Sequence, residues 1–288
     1  MSTETHTIAG LLTQARKRFA QAGVADPVFD ARLLVSGIIG LSFTDIVLKG
    51  SDSVTEDEVL RVLTAVARRE TGEPVHRILG RRAFYGLEFF LSPGTLEPRP
   101  DTEILVDTLL PHLRTMVADN GSAQVLDMGT GTGAICLSLL HECTGAHGTG
   151  SDISDDALAT AWRNAVENGV AERFKTVKSH WFDKIAGCFD IIVSNPPYIQ
   201  SSVIETLDRD VREFDPMAAL DGGPDGLEPY RAIASGAGEF LTENGLVGVE
   251  IGYDQRQDVE TIFKSAGFPC IAAVKDYGGN DRVLVFRK

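Results

Sequence analysis

The residues best suited to chemistry form the run Asn195-Pro196-Pro197-Tyr198, which directly follows the apolar stretch 190–194. That stretch is typical of a central strand, and the prolines end it, because proline fixes φ and has no N–H for a sheet ladder. A stiff corner is therefore expected where the strand ends. Ligands of an open parallel sheet bind at the carboxyl ends of its strands, so the corner is expected to lie in a binding site.

The corner predicts an acceptor site for a planar NH2 group. The side-chain carbonyl of Asn195 and the main-chain carbonyl of Pro196 can each accept one of its two hydrogens. An amide or aromatic amine has a delocalised lone pair, so it attacks carbon poorly unless it is held with one face towards that carbon. Drawing on both N–H bonds adds electron density to nitrogen as positive charge develops, which stabilises the transition state. Tyr198 can pack over the acceptor plane.

A second candidate site is the glycine-rich run 127–134, Asp-Met-Gly-Thr-Gly-Thr-Gly-Ala, which ends another apolar strand candidate. Glycine lets the backbone turn sharply and lets a ligand approach the main chain. Asp152 ends the next strand candidate, about 20 residues on, where it can bind a ribose hydroxyl. This pattern fits both NAD and S-adenosylmethionine, and by itself it leaves both open.

Two neighbouring features favour S-adenosylmethionine, which carries an ammonium group. Asp127 precedes the first glycine, where its carboxylate can meet a cationic amino group and would be a poor neighbour for a pyrophosphate. Trp181 belongs to the run 180–183 after the third strand candidate, where an aromatic ring can lie against an adenine. The competing interpretation places Trp181 and Phe182 in the core, and this run alone does not decide between the two.

The carboxyl-terminal part of the chain predicts an α/β domain that positions these residues. Strand candidates alternate with helix-like stretches, as in crossover units on a parallel sheet. The strand candidates are residues 124–128, 148–153, 174–178, 190–194, 246–251, 271–274 and 282–286. Ser154 is expected to cap the helix that follows it, and Trp162 is expected in the core. The predicted buried stripe of that helix consists of Ala157, Leu158, Ala161, Trp162 and Ala165.

The first 74 residues predict a small helical domain. Apolar residues recur at helix spacing between residues 8 and 67, enough for about three helices. Residues 75–100 change to aromatic and short-period residues with a Ser-Pro-Gly breaker, which predicts a hairpin linker. The predicted organisation is a helical domain at 1–74, a hairpin linker at 75–100 and the α/β domain at 101–288.

Composition and charge narrow the function classes. The chain has 27 Lys+Arg against 41 Asp+Glu, and its formal net charge of -14 opposes nonspecific binding to nucleic acid. No stretch approaches the roughly 20 apolar residues of a membrane span, and residues 1–6 lack the order of a signal peptide. A cytoplasmic protein without nucleic-acid or membrane partners is expected. The 4 cysteines and 6 histidines form no zinc-type cluster, so no metal is expected.

These motifs resemble the class I methyltransferases of release factor glutamine N5-methylation, the HemK/PrmC family. Three further runs carry the resemblance: Leu-Glu-Pro-Arg-Pro-Asp-Thr-Glu at 96–103, Leu-Asp-Gly-Gly-Pro-Asp-Gly-Leu at 220–227 and Asp-Tyr-Gly-Gly-Asn-Asp-Arg at 276–282. The family implies a small helical amino-terminal domain and a seven-stranded, mostly parallel sheet. It also implies methyl transfer from S-adenosyl-L-methionine to the glutamine of the Gly-Gly-Gln loop in peptide chain release factors.

The motifs and the resemblance together give a set of expected site residues. The cofactor-binding residues are Asp127, Gly129, Thr130, Gly131, Thr132, Gly133, Asp152, Trp181 and Asn195. The substrate-binding residues are Arg99, Asn195, Pro196, Pro197 and Tyr198, of which Asn195, Pro196 and Tyr198 are also expected to be catalytic. Arg99 is expected to bond a carboxylate, and Asp101 or Thr102 to cap the helix that follows. Glu97 and His180 stand where many members of the family have Ile and Asp.

The alternative among enzymes is an N6-adenine DNA methyltransferase, because a flipped adenine presents the same planar NH2 group. The net negative charge and the lack of a basic segment that could bind a DNA target argue against this alternative. A nicotinamide oxidoreductase would use the glycine-rich turn, but residues 195–198 would then have no role in the reaction. A non-catalytic adaptor of the translation machinery would not need to keep those residues.

Overall fold

A computed structural model describes residues 6–288 of the chain, which form two compact units. The first unit runs to Arg81 and includes Arg209–Phe214. The second unit comprises Arg82–Asp208 and Asp215–Lys288. The domain boundaries at residues 74 and 100 stay predictions.

The first unit is helical, as the apolar spacing predicts. Its amino-terminal helices are α1 (Ile8–Gln21), α2 (Pro27–Ile39), α3 (Asp45–Leu48), α4 (Glu56–Glu70) and α5 (Val75–Leu79). Each of the three long helices, α1, α2 and α4, is capped at its amino end by a side chain that accepts a main-chain N–H. The capping residues are Thr7, Asp26 and Thr55. Their apolar faces meet in a common core that includes Phe19 and Leu34.

A two-stranded hairpin follows, formed by β1 (Arg81–Phe84) and β2 (Leu87–Phe90). The second unit then builds a seven-stranded sheet in the order β5-β4-β3-β6-β7-β9-β8. Its strands are β3 (Ala123–Met128), β4 (Ala146–Asp152), β5 (Phe174–Lys178), β6 (Phe189–Ser194), β7 (Leu241–Glu250), β8 (Cys270–Lys275) and β9 (Asp281–Arg287). Among the strands described, β9 pairs antiparallel with β7 and with β8, and every other pair in the sheet is parallel. The predicted fold class is therefore confirmed, and each of the seven strand candidates overlaps a strand of the sheet.

Helices cover both faces of the sheet, as a sheet buried on two sides requires. They are α6 (Glu103–Asn120), α7 (Ala134–Glu142), α8 (Asp155–Glu167), α10 (Glu228–Phe240) and α11 (Arg256–Ser265), while α9 (Arg209–Phe214) belongs to the first unit. One apolar core contains residues of α6, α7 and α8, and the other contains residues of α10 and α11. Within residues 6–288, no helix has the length and apolarity needed to cross a membrane.

The sequence interpretation of α8 is right at its cap and wrong at one position of its buried stripe. Ser154 caps the helix, its hydroxyl accepting the Ala157 N–H at 3.2 Å. The Trp162 side chain, however, is 46% exposed. The buried residues of α8 extend around the helix from Thr160 on one side of Ala161 to Leu158 on the other, and Trp162 lies beyond Leu158, about 100° from Ala161.

Candidate active site

A cavity of about 570 Å³ lies where β3, β4 and β6 end. These strands are adjacent and parallel, so the residues that follow them meet at one edge of the sheet. Among the predicted site residues, those that line the cavity are Arg99, Gly129, Thr130, Gly131, Thr132, Asp152, Trp181, Asn195 and Pro197. Those that do not line it are Asp127, Gly133, Pro196 and Tyr198. The fold thus brings the glycine-rich turn and the proline corner to one cavity.

The turn after β3 depends on glycine at three positions. Gly129, Gly131 and Gly133 have φ of 69°, 54° and 83°, a region that other residues adopt only at a cost. At Gly129 and Gly131 an added Cβ would meet nothing within 4 Å, so the main chain there is open to a ligand. At Gly133 an added Cβ would lie 2.9 Å from the side chain of Leu137, a residue of α7. The absence of a side chain at Gly133 therefore allows α7 to begin directly after the turn.

The glycine turn is also held from the side of α8. Asn164, which faces inward and is fully buried, donates from Nδ2 to the carbonyl of Thr132 at 2.9 Å. The same side chain bonds the main chain of Phe90 twice, accepting its N–H at 2.8 Å and donating to its carbonyl at 3.1 Å. One buried amide therefore joins α8, the hairpin and the wall of the cavity.

Asp152 places a carboxylate in the cavity wall at the end of β4. Its Oδ2 atom accepts the N–H of Gly131 at 3.0 Å, and its Oδ1 atom accepts the N–H of Ser154 at 2.9 Å. Burial raises the pKa of Asp152, and these hydrogen bonds act in the opposite direction. Each oxygen keeps a further lone pair, so the group can accept hydrogen bonds from the hydroxyls of a ligand.

Asp127 lies behind the turn. Its side chain is 1% exposed, and its Oδ2 atom accepts from the Thr130 hydroxyl at 2.8 Å and the Cys136 N–H at 3.4 Å. Its Oδ1 atom has no hydrogen-bond partner within the described part of the chain. Burial raises the pKa of Asp127 to about 7. The carboxyl braces the turn, and its contact with a cofactor ammonium stays a prediction.

The two aromatic residues after β5 have different places. Trp181 lines the cavity with an unusual positive φ of 45°, and its carbonyl accepts from the Ser179 hydroxyl at 2.8 Å. Phe182 instead stacks on Phe240, with ring centres 4.9 Å apart and planes 11° from parallel. Both residues are partly buried against the core of the α10 side, and Trp181 in addition forms part of the cavity wall.

The proline corner is tied to its surroundings on both sides. Ser194, the last residue of β6, donates from its hydroxyl to the Met128 carbonyl at 2.7 Å, which links the ends of β6 and β3. The Nδ2 atom of Asn195 donates to the Thr102 hydroxyl oxygen at 3.2 Å. Tyr198 packs against the core of the α10 side, and burial raises its pKa to about 12. The catalytic roles of Asn195 and Tyr198 stay predictions.

The glycine-rich loop at 221–226 packs directly on this corner. A Cβ at Gly222 would lie 2.9 Å from both the Pro197 carbonyl oxygen and the Tyr198 Cα, so only glycine fits there. Gln255, which sequence reasoning missed, donates from Nε2 to the carbonyls of Tyr198 at 2.9 Å and Gly226 at 3.1 Å. The loop therefore supports the corner as well as lining the cavity.

Arg99 pairs with the carboxylate of Asp215 in the same chain, with Nη2 and Oδ2 2.8 Å apart, and its contact with the substrate stays a prediction. Of the two predicted caps, Asp101 and Thr102, Thr102 stands at the N-cap position of α6 but does not act as a cap. Thr102 makes no side-chain cap hydrogen bond to α6, because its backbone is already helical and its hydroxyl accepts from Asn195. Glu97 is buried and pairs with Arg82 at 2.6 Å, which explains how a carboxylate is tolerated there.

Comparison with known proteins identifies the family. The PrmC N-terminal domain family matches residues 10–80, and the methyltransferase small domain family matches residues 101–210. A release factor glutamine methyltransferase of Agrobacterium fabrum is 62% identical over 282 residues, covering 98% of each chain. One of Bradyrhizobium diazoefficiens is 44% identical over 275 residues, covering 95% of this chain and 92% of the relative. This chain belongs to the release factor glutamine methyltransferase family.

Solved structures show the fold that this family member adopts. A methyltransferase from Pyrococcus furiosus matches with a TM-score of 0.53 and 20% identity, covering 81% of this chain and 99% of that chain. The hMettl16 catalytic domain, in complex with the MAT2A 3′UTR hairpin 6, matches with a TM-score of 0.55 and 16% identity, covering 81% and 82%. The full-length similarity to release factor glutamine methyltransferases does not favour the DNA methyltransferase alternative.

Proposed function

We propose that the protein transfers a methyl group from S-adenosyl-L-methionine to N5 of the glutamine in the Gly-Gly-Gln motif of peptide chain release factors. The observation that carries this proposal is that Asn195 and Pro197 line the same cavity as Gly129, Gly131 and Asp152. Direct transfer needs donor and acceptor held side by side in one site. Membership of the release factor glutamine methyltransferase family supports the choice of acceptor.

The residues around the glycine turn fit the cofactor. When bound, S-adenosyl-L-methionine supplies an electrophilic methyl group on a sulfonium sulfur. Gly129 and Gly131 leave the main chain open to a ligand, and Asp152 holds its carboxylate ready to accept from ribose hydroxyls. Trp181 offers an aromatic face in the cavity wall for an adenine.

The proline corner prepares the glutamine nitrogen. The Asn195 side-chain carbonyl and the Pro196 main-chain carbonyl each accept one N–H of the carboxamide, which holds its plane at a fixed angle. As the nitrogen gains positive charge, both contacts strengthen, so they stabilise the transition state more than the ground state. Tyr198 supports the corner, and Arg99 stands at the cavity wall as a further contact for the substrate.

The partner in this proposal is a release factor, which is a protein, and the site of action is the cytoplasm, where translation termination occurs. Neither nucleic acid nor a membrane takes part in the reaction. The formal charge of -14 is consistent with an acceptor that is not a polyphosphate.

Mass spectrometry of a release factor incubated with the protein and S-adenosyl-L-methionine tests the proposal. One added methyl group is expected on the glutamine of the Gly-Gly-Gln motif, and none on a release factor with that glutamine replaced by alanine. A duplex DNA acceptor is the second arm. Methyl transfer to adenine, or to the release factor at a different residue, would refute the assignment.

A further inference from the structure

Three polar side chains beside the proline corner have no part in the mechanism so far: Thr102, Glu250 and Arg282. Thr102 is 4% exposed and Glu250 is 2% exposed. They come from the 3-10 turn Pro100–Thr102, from the end of β7 and from β9. Buried polar groups cost folding free energy unless they are paired, so their contacts indicate what they do.

Strand pairing places Asn195 next to Glu250. β6 and β7 are parallel, with Ser194 opposite Val249, so the next residue of each strand lies at the same edge of the sheet. The Nδ2 atom of Asn195 donates to the Thr102 hydroxyl oxygen at 3.2 Å. Thr102 and Asn195 both lie close enough to the Glu250 carboxyl to hold its pKa down. The Oε2 atom of Glu250 is buried and has no hydrogen-bond partner among residues 6–288.

Arg282 provides the positive charge beside this carboxyl. Its Nη2 atom binds Asp276 at 2.9 Å, and its Nη1 atom donates to the Ile251 carbonyl at 3.2 Å. Asp101 lies 3.8 Å from the same guanidinium. Burial raises the pKa of Glu250 to about 7, while Thr102 and the charge of Arg282 act in the opposite direction. Arg282 thus favours the ionised form of Glu250, which only accepts hydrogen bonds.

The direction of these hydrogen bonds decides which way the Asn195 carboxamide faces. A hydroxyl both donates and accepts, so Thr102 alone would tolerate either orientation of the amide. A carboxylate only accepts, so a Thr102 hydroxyl directed at Glu250 donates its proton there and keeps a lone pair for the Asn195 N–H. The Nδ2 atom of Asn195 thus donates within the protein, and its Oδ1 atom remains free to accept a hydrogen bond in the cavity. A flipped amide would present N–H groups to the NH2 group of the substrate.

We propose that Thr102 and Glu250 are positioning residues that hold the Asn195 carboxamide with its oxygen available to the acceptor amide. The inference rests on the proposed function. It also joins three separate motifs, since Thr102, Asn195 and Arg282 come from the runs 96–103, 195–198 and 276–282. Loss of either positioning residue is expected to loosen the Asn195 side chain and to leave the glycine turn and Asp152, the main cofactor contacts, in place.

The test measures kcat, the KM for the release factor and the cofactor Kd in the full-length protein. Thr102→Val removes the hydroxyl at constant size, and Glu250→Gln removes the acceptor-only carboxylate. Each is expected to lower kcat by roughly 10- to 100-fold, since a misplaced catalytic group costs about that much, with the cofactor Kd unchanged. Thr102→Ser restores the hydroxyl and is expected to recover most of the rate. The matched control is Thr149→Val, a threonine of β4 that is 3% exposed and does not line the cavity.

Wild-type kcat in Thr102→Val and Glu250→Gln would overturn the inference. An equal loss of rate in Thr149→Val, or a loss of cofactor binding together with rate, would assign Thr102 a structural role and overturn it as well. If circular dichroism shows Thr102→Val unfolded, Glu250→Gln carries the test, and unfolding of both would also overturn it. Absence of methyl transfer by the wild-type protein would refute the proposed function instead, so the two failures are distinguishable.

Discussion

The buried carboxyl of Asp127 makes the stability of the α/β unit depend on pH. The side chain is 1% exposed, it accepts two hydrogen bonds on one oxygen, and its other oxygen has no partner within residues 6–288. An ionised carboxylate in that position is poorly solvated, so the folded state prefers the protonated form. Replacing Asp127 by asparagine keeps the size and an acceptor oxygen and removes the titration.

The magnitude follows from the pKa of Asp127, which burial raises from 3.8 to about 7. That difference corresponds to about 4 kcal/mol of stability. Because the folded state binds the proton more tightly than the unfolded state, this stability is fully present below about pH 4 and is lost as pH rises through about 7. About 2 kcal/mol of it is lost between pH 5 and pH 7. Glu250, with a pKa raised from 4.5 to about 7, adds a loss of the same sign.

Urea unfolding at pH 5, 6, 7 and 8, followed by tryptophan fluorescence, measures this loss. Both tryptophans of the chain, Trp162 and Trp181, lie in the second unit, so the signal reports that unit. Between pH 5 and pH 7 the free energy of unfolding is expected to fall in both proteins. The fall should be about 2 kcal/mol smaller in Asp127→Asn than in the wild type. Asp119→Asn, an exposed aspartate of α6, is the matched control. Parallel curves for wild type and Asp127→Asn would refute the reasoning.

Three further predictions concern the acceptor side. Asn195→Ala is expected to lower kcat at least about 100-fold with an unchanged circular dichroism spectrum, because it removes an acceptor oxygen; wild-type turnover would contradict the role of Asn195. The wild-type kcat is expected to rise as pH increases through about 7, where Glu250 ionises, and Glu250→Gln should abolish that rise in a pH–rate profile. Gly222→Ala places a Cβ 2.9 Å from the Pro197 carbonyl and is expected to raise the KM for the release factor. Gly238→Ala, whose Cβ would meet Phe268 at an ordinary 3.8 Å, is its control, and equal KM values in both would count against support of the corner by the loop.

The strands could be predicted because their signal is local. A parallel sheet buried on both faces needs continuous apolar runs, and such runs are visible without knowledge of the partners. The candidate 174–178 coincides with β5. The candidate 246–251 found only the second half of β7, which begins at Leu241, because the polar residues 242–245 are typical of a turn.

The expected burial of Trp162 and the expected cap at Thr102 both failed because a local sequence pattern carries too little information. It does not show how wide the buried face of a helix is, and it does not show which partner a polar side chain binds. Trp162 neighbours Ala161 in sequence, yet α8 buries small alanines and Asn164 against the hairpin and turns the larger ring outward. Thr102 precedes a helix, as a cap does, but its φ of -68° and ψ of -20° are already helical. A cap needs an extended backbone at that residue.

The positioning of Asn195 shows where prediction from a single sequence stops. Thr102 lies 93 residues before Asn195, and nothing near Thr102 in the sequence indicates that its hydroxyl serves a strand end instead of a helix. Glu250 carried a signal, because it is the last residue but one of the strand candidate 246–251 and Asn195 directly follows the candidate 190–194, and parallel strands end at the same edge. Using that signal requires knowing that β6 and β7 are neighbours. Strand order is set by how the whole chain buries its apolar surface, so the closeness of Asn195 to Glu250 follows from the fold and not from either motif.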